Sequence, residues 1–209
     1  MDFNFIEKER ATVKYIIMAN GRGTRWKNFD GHPKHLIKIE GETLLKRTTR
    51  LVHTYDNTAQ VIIASSNPSY ETEGADRHAP LQNDHELDRF CYELIESNTC
   101  FLYGDVFYSN SAMEQIVSTG SVPITFFGTH ESIFAIKVLE GDVMLQLVDA
   151  LKHDIVSELI HDAKGWDLYH KYLNTTLSST QCDPFILIQD ATRDFNTPED
   201  YLEFSNSSA

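Results

Sequence analysis

A single stretch, residues 14–45, decides the fold that we predict for this chain; it reads KYIIMANGRGTRWKNFDGHPKHLIKIEGETLL. The apolar run at residues 15–18 predicts a buried strand, which ends in a glycine-rich turn at residues 20–24. Glycine lets backbone N–H groups approach a phosphate without obstruction by side chains. Arg25 and Lys34 follow the turn and would add positive charge at the same place. The stretch therefore predicts a binding site for a phosphate chain.

Two common phosphate-binding motifs do not fit this turn. The dinucleotide fingerprint G-x-G-x-x-G requires a third glycine where the chain has Trp26. A P-loop requires G-K-[ST], and that tripeptide does not occur in the sequence.

The stretch resembles the signature of the sugar-phosphate nucleotidyltransferase superfamily, approximately A-x-G-x-G-T-R-(apolar)…P-K-x-L…(apolar)-x-G-x-(P/T)-L-(apolar), which includes enzymes of the phosphocholine cytidylyltransferase type. The matching residues, in chain order, are Ala19, Gly21, Gly23, Thr24, Arg25, Pro33, Lys34, Leu36, Ile39, Gly41 and Leu44. Asn20 stands where the family usually has Ala or Gly, and Trp26 where it has Leu or Met.

Two later segments extend the resemblance. Asp105, preceded by Gly104 and an apolar run, is similar to the metal-binding aspartate of the family. Residues 193–200, RDFNTPED, are similar to its closing D-(I/F)-(D/N)-T-P-E-D segment. The resemblance covers nearly the whole chain and is weakest over residues 67–98 and 128–183.

Composition is typical of a globular protein, and its acidic balance argues against a protein that binds nucleic acid. We expect one domain over residues 1–209, frayed at residues 1–12 and 205–209. The formal net charge of −13 argues against a nucleic-acid partner. Against this acidic background, a local basic cluster would focus an anionic small molecule on one cleft; it consists of Arg22, Arg25, Lys27 and Lys34.

Cysteine usage and hydropathy predict a cytoplasmic protein without a membrane partner. The three cysteines, Cys91, Cys100 and Cys182, form no C-x-x-C pair, so we expect free thiols. The first ten residues lack the apolar core of a signal peptide, and no apolar run approaches the roughly 20 residues that span a bilayer. A homodimer is an assembly that the sequence leaves open.

Strand and helix patterns alternate along the chain. Apolar runs predict strands at residues 60–64, 99–103, 123–127, 133–138 and 184–189. Helical spacing predicts helices at residues 42–55 and 84–96, and several helical pieces within residues 141–173. Two further helices are expected to begin after an N-cap, one after Ser109 and one after Thr197, which is followed by Pro198. Residues 67–83 are expected to be a loop. This order predicts a Rossmann-like α/β fold, a three-layer α/β/α sandwich around a mostly parallel sheet.

In such sheets, ligands bind beyond the carboxyl ends of the strands. The glycine-rich turn, residues 104–105 and residues 190–196 each follow a predicted strand, so we expect them to converge on one edge of the sheet.

The resemblance implies a Mg²⁺-dependent nucleotidyltransferase. It would couple a nucleoside triphosphate (CTP or UTP is favoured) to a sugar phosphate, phosphocholine or similar phosphorylated small molecule, release pyrophosphate, and supply a precursor of a surface polysaccharide. The nucleotide would be held by Ala19, Asn20, Gly21, Arg22, Gly23 and Thr24. Arg25 and Lys34 would be the catalytic cations, and Asp105 and Asp194 the Mg²⁺ ligands.

Taken singly, these residues have simpler interpretations. The glycines alone fit an ordinary strand-to-helix turn, Asp105 a carboxylate at a helix N-terminus, and Asp194 a turn cap. Asn20 could either read a base edge through its amide or merely tolerate a left-handed turn. The order of the whole set favours the functional interpretation.

Other residues carry weaker signals. His32 and His35 are interpreted as solvated loop residues, and Trp166 and Tyr169 as core residues, although an aromatic box for a quaternary amine is a minor alternative.

Two rival functions remain at this stage. A glycosyltransferase of similar topology would need a D-x-D motif, which Val106 and Phe107 after Asp105 do not supply. A non-catalytic nucleotide-binding regulator is disfavoured because both aspartates and Lys34 are present.

Overall fold

The computed structural model describes residues 12–21, 23–120, 122–176 and 183–207. Arg22, Cys182 and most of the two predicted frayed ends lie outside the described residues, whereas residues 205–207 belong to the last helix. Within the described ranges, no helix is long and apolar enough to cross a membrane.

The elements follow one another largely in the predicted order. The strands are β1 (Lys14–Met18), β2 (Lys38–Ile39), β3 (Glu42–Thr43), β4 (Gln60–Ala64), β5 (Asp76–His78), β6 (Thr99–Tyr103), β7 (Val106–Phe107), β8 (Ile124–Gly128), β9 (Ile133–Val138), β10 (Phe185–Leu187) and β11 (Arg193–Asp194). The α-helices are α1 (Leu44–Tyr55), α2 (Asn110–Ser118), α3 (Gly141–Val156), α4 (Gly165–Thr176) and α5 (Pro198–Ser207).

Within the described ranges, seven strands form the central sheet in the order β10-β8-β9-β6-β1-β4-β5. Strand β1 lies parallel to both β4 and β6, and β9 is the one of these seven strands that runs antiparallel to both neighbours. The mostly parallel sheet is thus confirmed, and the carboxyl ends of β1, β4 and β6 meet at one edge.

The sheet separates two helical layers. Because successive side chains of a strand point to opposite faces, Tyr15 and Ile17 pack into one apolar cluster with residues of α1 and α2, and Ile16 and Met18 into the other with residues of α3 and α4. Residues 15–17 are fully buried, as a central parallel strand requires. The predicted α/β/α sandwich is confirmed.

Two elements differ from the predictions. Residues 84–96 form two 3₁₀ helices, Glu86–Phe90 and Tyr92–Leu94, instead of one α-helix, because Cys91 between them has a left-handed backbone with φ of 42°. The predicted loop at residues 67–83 contains strand β5, which pairs parallel to β4 at the sheet edge. Its sequence, Asp-Arg-His, is polar because the edge strand is largely exposed, so it carries no apolar pattern.

Helix α1 also contains an unexpected buried cation. Thr43 caps the helix by accepting a hydrogen bond from the Lys46 N–H at 3.2 Å. The helical spacing of residues 42–55 predicts that Arg47 points away from the apolar face, together with Lys46 and Arg50. Arg47 is instead 9% exposed, donates to the Tyr108 carbonyl at 3.1 Å and lies 4.2 Å from the centre of the Phe107 ring. It therefore ties α1 to the segment that follows β7.

Candidate active site

A cleft of about 470 Å³ opens at the edge of the sheet where β1 and β6 end. It brings together most of the residues singled out in the sequence, namely Gly21, Gly23, Thr24, Arg25, Lys34, Asp105 and Asp194. Residues separated by up to 173 positions thus share one cavity, as expected from the carboxyl ends of a parallel sheet.

The two glycines of the glycine-rich turn, Gly21 and Gly23, have different structural environments. Gly23 adopts φ of +59°, a left-handed conformation that side chains disfavour, and its carbonyl accepts the Trp26 N–H at 3.0 Å. A Cβ on Gly21 would lie 3.5 Å from the Arg89 guanidinium, an ordinary van der Waals contact, so Arg89 is the immediate neighbour of the turn at this residue. The turn therefore exposes backbone to the cleft on one side and accommodates an arginine on the other.

Ala19, the first of the predicted nucleotide-binding residues, does not line the cleft. Ala19 is 2% exposed, packs in the core and donates its N–H to the Ala64 carbonyl at 3.0 Å, so its backbone donor is used by the sheet. The nucleotide contact expected from the backbone of Ala19 stays a prediction, and it cannot use this N–H while the bond to Ala64 is present.

Asn20 lies beside a small recess of about 70 Å³ next to the main cleft. Its Oδ1 accepts the Ser66 N–H at 2.9 Å, whereas its Nδ2 is buried without a partner among the described residues. Asn20 is also not among the residues with positive φ, so the interpretation that it serves a left-handed turn is wrong. Among the described residues, the amide is thus bonded through its oxygen and not through its nitrogen.

Asp105 is held by the close approach of two strand ends. A Cβ on Gly104 would lie 2.8 Å from the Met18 carbonyl oxygen, and the Gly104 N–H donates to that same oxygen at 3.0 Å. Lys34 forms an ion pair with Asp105, and both side chains are nearly buried, at 12% and 13% exposed. Burial alone would raise the pKa of Asp105, but the nearby positive charges, with Lys34 first among them, lower it. The carboxylate is therefore ionised at neutral pH.

Asp194 reaches Asp105 through a two-stranded ribbon. Strand β11 pairs antiparallel with β7, so Asp194 is opposite Val106, and the Phe195 N–H donates to the Asp105 carbonyl at 2.9 Å. The two aspartates, 89 residues apart in the chain, are thus close neighbours in the fold. Pairing of a two-residue strand could not have been read from the sequence.

Asn196 connects this ribbon to Arg25, the residue that follows the glycine-rich turn. Its Oδ1 accepts from the Arg25 guanidinium at 2.8 Å, and its amide N–H donates to the Asp194 carboxylate. The Ser132 hydroxyl donates to the same carboxylate at 3.1 Å. Arg25 and Asp194 are therefore positioned by one hydrogen-bonded network across the cleft.

His35 behaves differently from the prediction of a solvated loop histidine. It is 3% exposed, its Nδ1 lies 3.3 Å from the Tyr70 hydroxyl, and burial lowers its pKa to about 4. The side chain packs beneath Gly104, with Cδ2 3.1 Å from where a Cβ would be. His35 is thus a neutral packing residue under the site, whereas His32 is exposed as predicted.

A further group of residues completes the cleft, and sequence reasoning missed most of it. These residues, which we call the assembled lining, are Glu86, Arg89, Phe90, Tyr103, Glu131, Ser132, Ile133, Lys164, Gly165 and Trp166. Trp166 stacks on Phe185 at a centroid distance of 5.4 Å and an interplanar angle of 6°, and its Nε1 donates to the Glu131 carbonyl. It is therefore both packed and part of the cleft, instead of a core residue alone.

The donor set is suited to magnesium. No group of three or more His, Cys, Asp or Glu side chains in the described part of the chain is arranged to hold a metal. Mg²⁺, however, commonly takes one or two carboxylates and completes its shell with phosphate oxygens and water. Asp105 and Asp194, brought together by the β7–β11 ribbon beside the glycine-rich turn, fit that requirement.

Sequence comparison and structure comparison give different results for this chain. No protein-family model matches it, and no curated protein sequence matches it. Solved structures do match, and the first is the CTP:phosphocholine cytidylyltransferase of Streptococcus pneumoniae, with a TM-score of 0.61 at 13% identity over 95% of this chain and 100% of that one. The inositol-1-phosphate CTP transferase of T. maritima gives 0.59 at 12% identity over 95% and 96% of the two chains.

A third structure, the 4-diphosphocytidyl-2C-methyl-D-erythritol synthase of Anaerococcus prevotii, gives 0.60 at 10% identity over 94% and 96% of the two chains. The chain has the fold of these nucleotidyltransferases. The resemblance stated from the signature is confirmed at the level of fold. At identities of 10% to 13%, the chemistry has to be argued from the residues of the cleft itself.

Proposed function

We propose that this protein is a Mg²⁺-dependent nucleotidyltransferase that joins a nucleoside triphosphate to a phosphorylated small molecule and releases pyrophosphate. One observation carries the proposal. The signature turn, two cations and two neighbouring aspartates line a single cleft at the carboxyl edge of the sheet. A carboxylate pair next to this turn suits a metal ion that neutralises charge on reacting phosphates.

In the proposed reaction, a phosphate oxygen of the acceptor attacks the α-phosphorus of the nucleotide. A new P–O bond forms there, the bond from the α-phosphorus to the bridging oxygen breaks, and pyrophosphate leaves with that electron pair. A phosphomonoester is mostly a dianion at neutral pH, so the attack does not require a general base. Catalysis then depends on positioning and on neutralising charge.

The residues divide this task according to their positions. Lys34, which pairs with Asp105, would contact the attacking or α-phosphate, and Arg25, which bonds Asn196, would contact the β- and γ-phosphates. The turn backbone at residues 21–24 would hold the nucleotide phosphates. Asp105 and Asp194 would hold Mg²⁺, which supplies positive charge to the phosphates when bound.

The acceptor is proposed from the assembled lining. The exposed Glu131 carboxylate and the half-buried Trp166 ring lie in the same cleft, a combination that suits a quaternary ammonium group. Phosphocholine is therefore the first acceptor to test, with sugar phosphates second and CTP or UTP as the nucleotide. The product of such a reaction would be an activated precursor of a surface polysaccharide.

The experiment is a pyrophosphate-release assay in which purified protein and Mg²⁺ are incubated with each nucleoside triphosphate and a panel of phosphomonoesters. We expect release that requires both substrates, and none with the unphosphorylated alcohol of the same acceptor. Nucleotide binding without release for every acceptor would instead support a non-catalytic binder.

A further inference from the structure

Arg89 is a cation of the cleft that the proposed reaction has not used. It belongs to the 3₁₀ helix Glu86–Phe90, in the part of the chain where the family resemblance is weakest. Three guanidinium atoms, Nη2, Cζ and Nε, lie 3.5, 3.6 and 3.9 Å from where a Cβ on Gly21 would be. The guanidinium is therefore seated against the glycine-rich turn, and the Arg89 side chain is 27% exposed.

The backbone that carries Arg89 is well anchored. The Asp88 carboxylate accepts the N–H groups of Asp84 and His85, each at 2.9 Å, which closes the start of the helix. The Asp162 carboxylate accepts the Glu86 N–H at 3.0 and 3.1 Å. These bonds fix the N-terminal end of the short helix, and they thereby hold the backbone that carries Arg89.

The counter-ion of Arg89 is, in contrast, loosely held. Arg89 pairs with the Glu86 carboxylate at 2.5 Å, three positions earlier on the same helix, and this carboxylate is 36% exposed. An exposed pair of this kind is weak, because water solvates the carboxylate almost as well as the arginine does. Lys34, by comparison, pairs with a carboxylate that is only 13% exposed.

We propose that Arg89 binds a phosphate oxygen of the substrates and that Glu86 is its resting counter-ion, displaced when the substrate binds. This inference rests on the proposed function, since it assumes that a phosphate enters the cleft. A forked guanidinium makes two parallel bonds to a phosphate, which a single exposed carboxylate cannot match once two anions are brought together. The phosphate belongs either to the nucleotide or to the acceptor.

The test is a binding measurement by calorimetry in EDTA, with CTP and inorganic phosphate as separate probes. Arg89→Met should weaken binding of at least one probe by about 10-fold, in the range of a lost charge-assisted contact. Arg89→Lys keeps the positive charge but loses the forked guanidinium, so its affinity for the probe should lie between those of the wild type and Arg89→Met. The matched control is Arg50→Met, because Arg50 pairs with Glu42 on the surface of α1 outside the cleft and should have no effect.

Glu86→Gln distinguishes counter-ion exchange from a structural role. If Glu86 competes with phosphate, this change should tighten binding by about 3-fold, and the gain should vanish in the Arg89→Met background. Glu131→Gln removes another carboxylate from the same cleft and measures the general effect of charge. A Glu86→Gln protein that binds more weakly than the wild type would overturn the proposal, as would an Arg89→Met protein that matches Arg50→Met for both probes.

Steady-state pyrophosphate release by the Arg89→Met protein shows which phosphate Arg89 contacts, and the wild-type protein separates this proposal from the proposed function. A rise in KM confined to the acceptor places Arg89 at the acceptor phosphate, and a rise for CTP places it at the nucleotide. A wild-type protein that binds CTP but never releases pyrophosphate contradicts the proposed function alone. A wild-type protein that binds neither probe in EDTA contradicts the Arg89 proposal, whereas the proposed function is decided by pyrophosphate release in the presence of Mg²⁺.

Discussion

Two parts of the cleft are built in different ways. The signature segment, residues 20–36, is one continuous stretch that follows β1, and its glycines and cations can be read in the sequence. The assembled lining comes from separate stretches, at residues 86–90, 103, 131–133 and 164–166, and carries no motif. In the proposed function, the first part would supply the chemistry common to all acceptors, and the second the contacts that distinguish one acceptor from another.

This difference has a testable consequence. Substitutions in the signature segment or in the aspartate pair should reduce turnover with every acceptor. Substitutions of Glu131 or Trp166 in the assembled lining should change the preference among acceptors and leave the KM for the nucleotide unchanged.

The largest effect is expected from the aspartate pair. Asp105→Asn and Asp194→Asn should each lower kcat by more than about 100-fold for all acceptors, since removing one preorganised charge contact commonly costs this much. Steady-state pyrophosphate release at saturating Mg²⁺ measures the loss. Asp190→Asn is the control, because Asp190 also follows a strand but bonds Ser109 and Thr192 outside the cleft. Near-normal turnover of either variant would remove that aspartate from the site.

The next effect concerns Lys34. Lys34→Met should lower kcat by about 10- to 100-fold with little change in the KM for CTP, because charge on the reacting phosphates grows in the transition state. Lys27→Met, a change of an exposed lysine that does not line the cleft, is the matched control. A higher KM for CTP with unchanged kcat would make Lys34 a ground-state anchor only.

A smaller effect, confined to one substrate, is expected at Trp166. If it contacts a cationic acceptor, Trp166→Leu should raise the KM for phosphocholine by about 10-fold, the upper range of a cation–π contact, and leave the KM for CTP unchanged. Tyr169→Leu controls for packing, because Tyr169 also contacts the Phe185 ring but does not line the cleft. Equal changes in both KM values would show that the two parts of the cleft are not separable.

The smallest effect is expected at Asn20, in the nucleotide preference. Its buried Nδ2 offers a donor only, so Asn20→Gly should shift the ratio of kcat/KM for CTP and UTP by about 5-fold, close to 1 kcal/mol for one hydrogen bond. Asn20→Asp retains the oxygen that accepts the Ser66 N–H and tests the donor by itself. An unchanged ratio in both variants would return base selection to main-chain groups.

The parts of the site that were predictable are those encoded locally. Continuous apolar runs mark β1 and β6 because both strands are buried on both faces, and the residues that follow them arrive at the same edge. Gly23 and Asp105 could therefore be placed before the structure was known.

The parts that were not predictable depend on contacts between distant segments. The sequence of residues 84–96 has helical spacing, but the left-handed Cys91 divides it and thereby positions Arg89 beside Gly21. Arg47 has the spacing of a solvent-facing residue, yet the Tyr108 carbonyl provides a buried partner for it. Neither partner is visible in a local pattern.

The central claim is that the acceptor phosphate attacks the α-phosphorus of the nucleotide, and isotope transfer tests it most directly. The acceptor phosphate is labelled with ¹⁸O, and the products of a Mg²⁺-containing reaction with CTP are examined by mass spectrometry and ³¹P NMR. We expect all of the label in a product with two coupled phosphorus signals, and unlabelled pyrophosphate in equal amount. Label in pyrophosphate or free phosphate, or pyrophosphate formed without the acceptor, would contradict the proposed reaction.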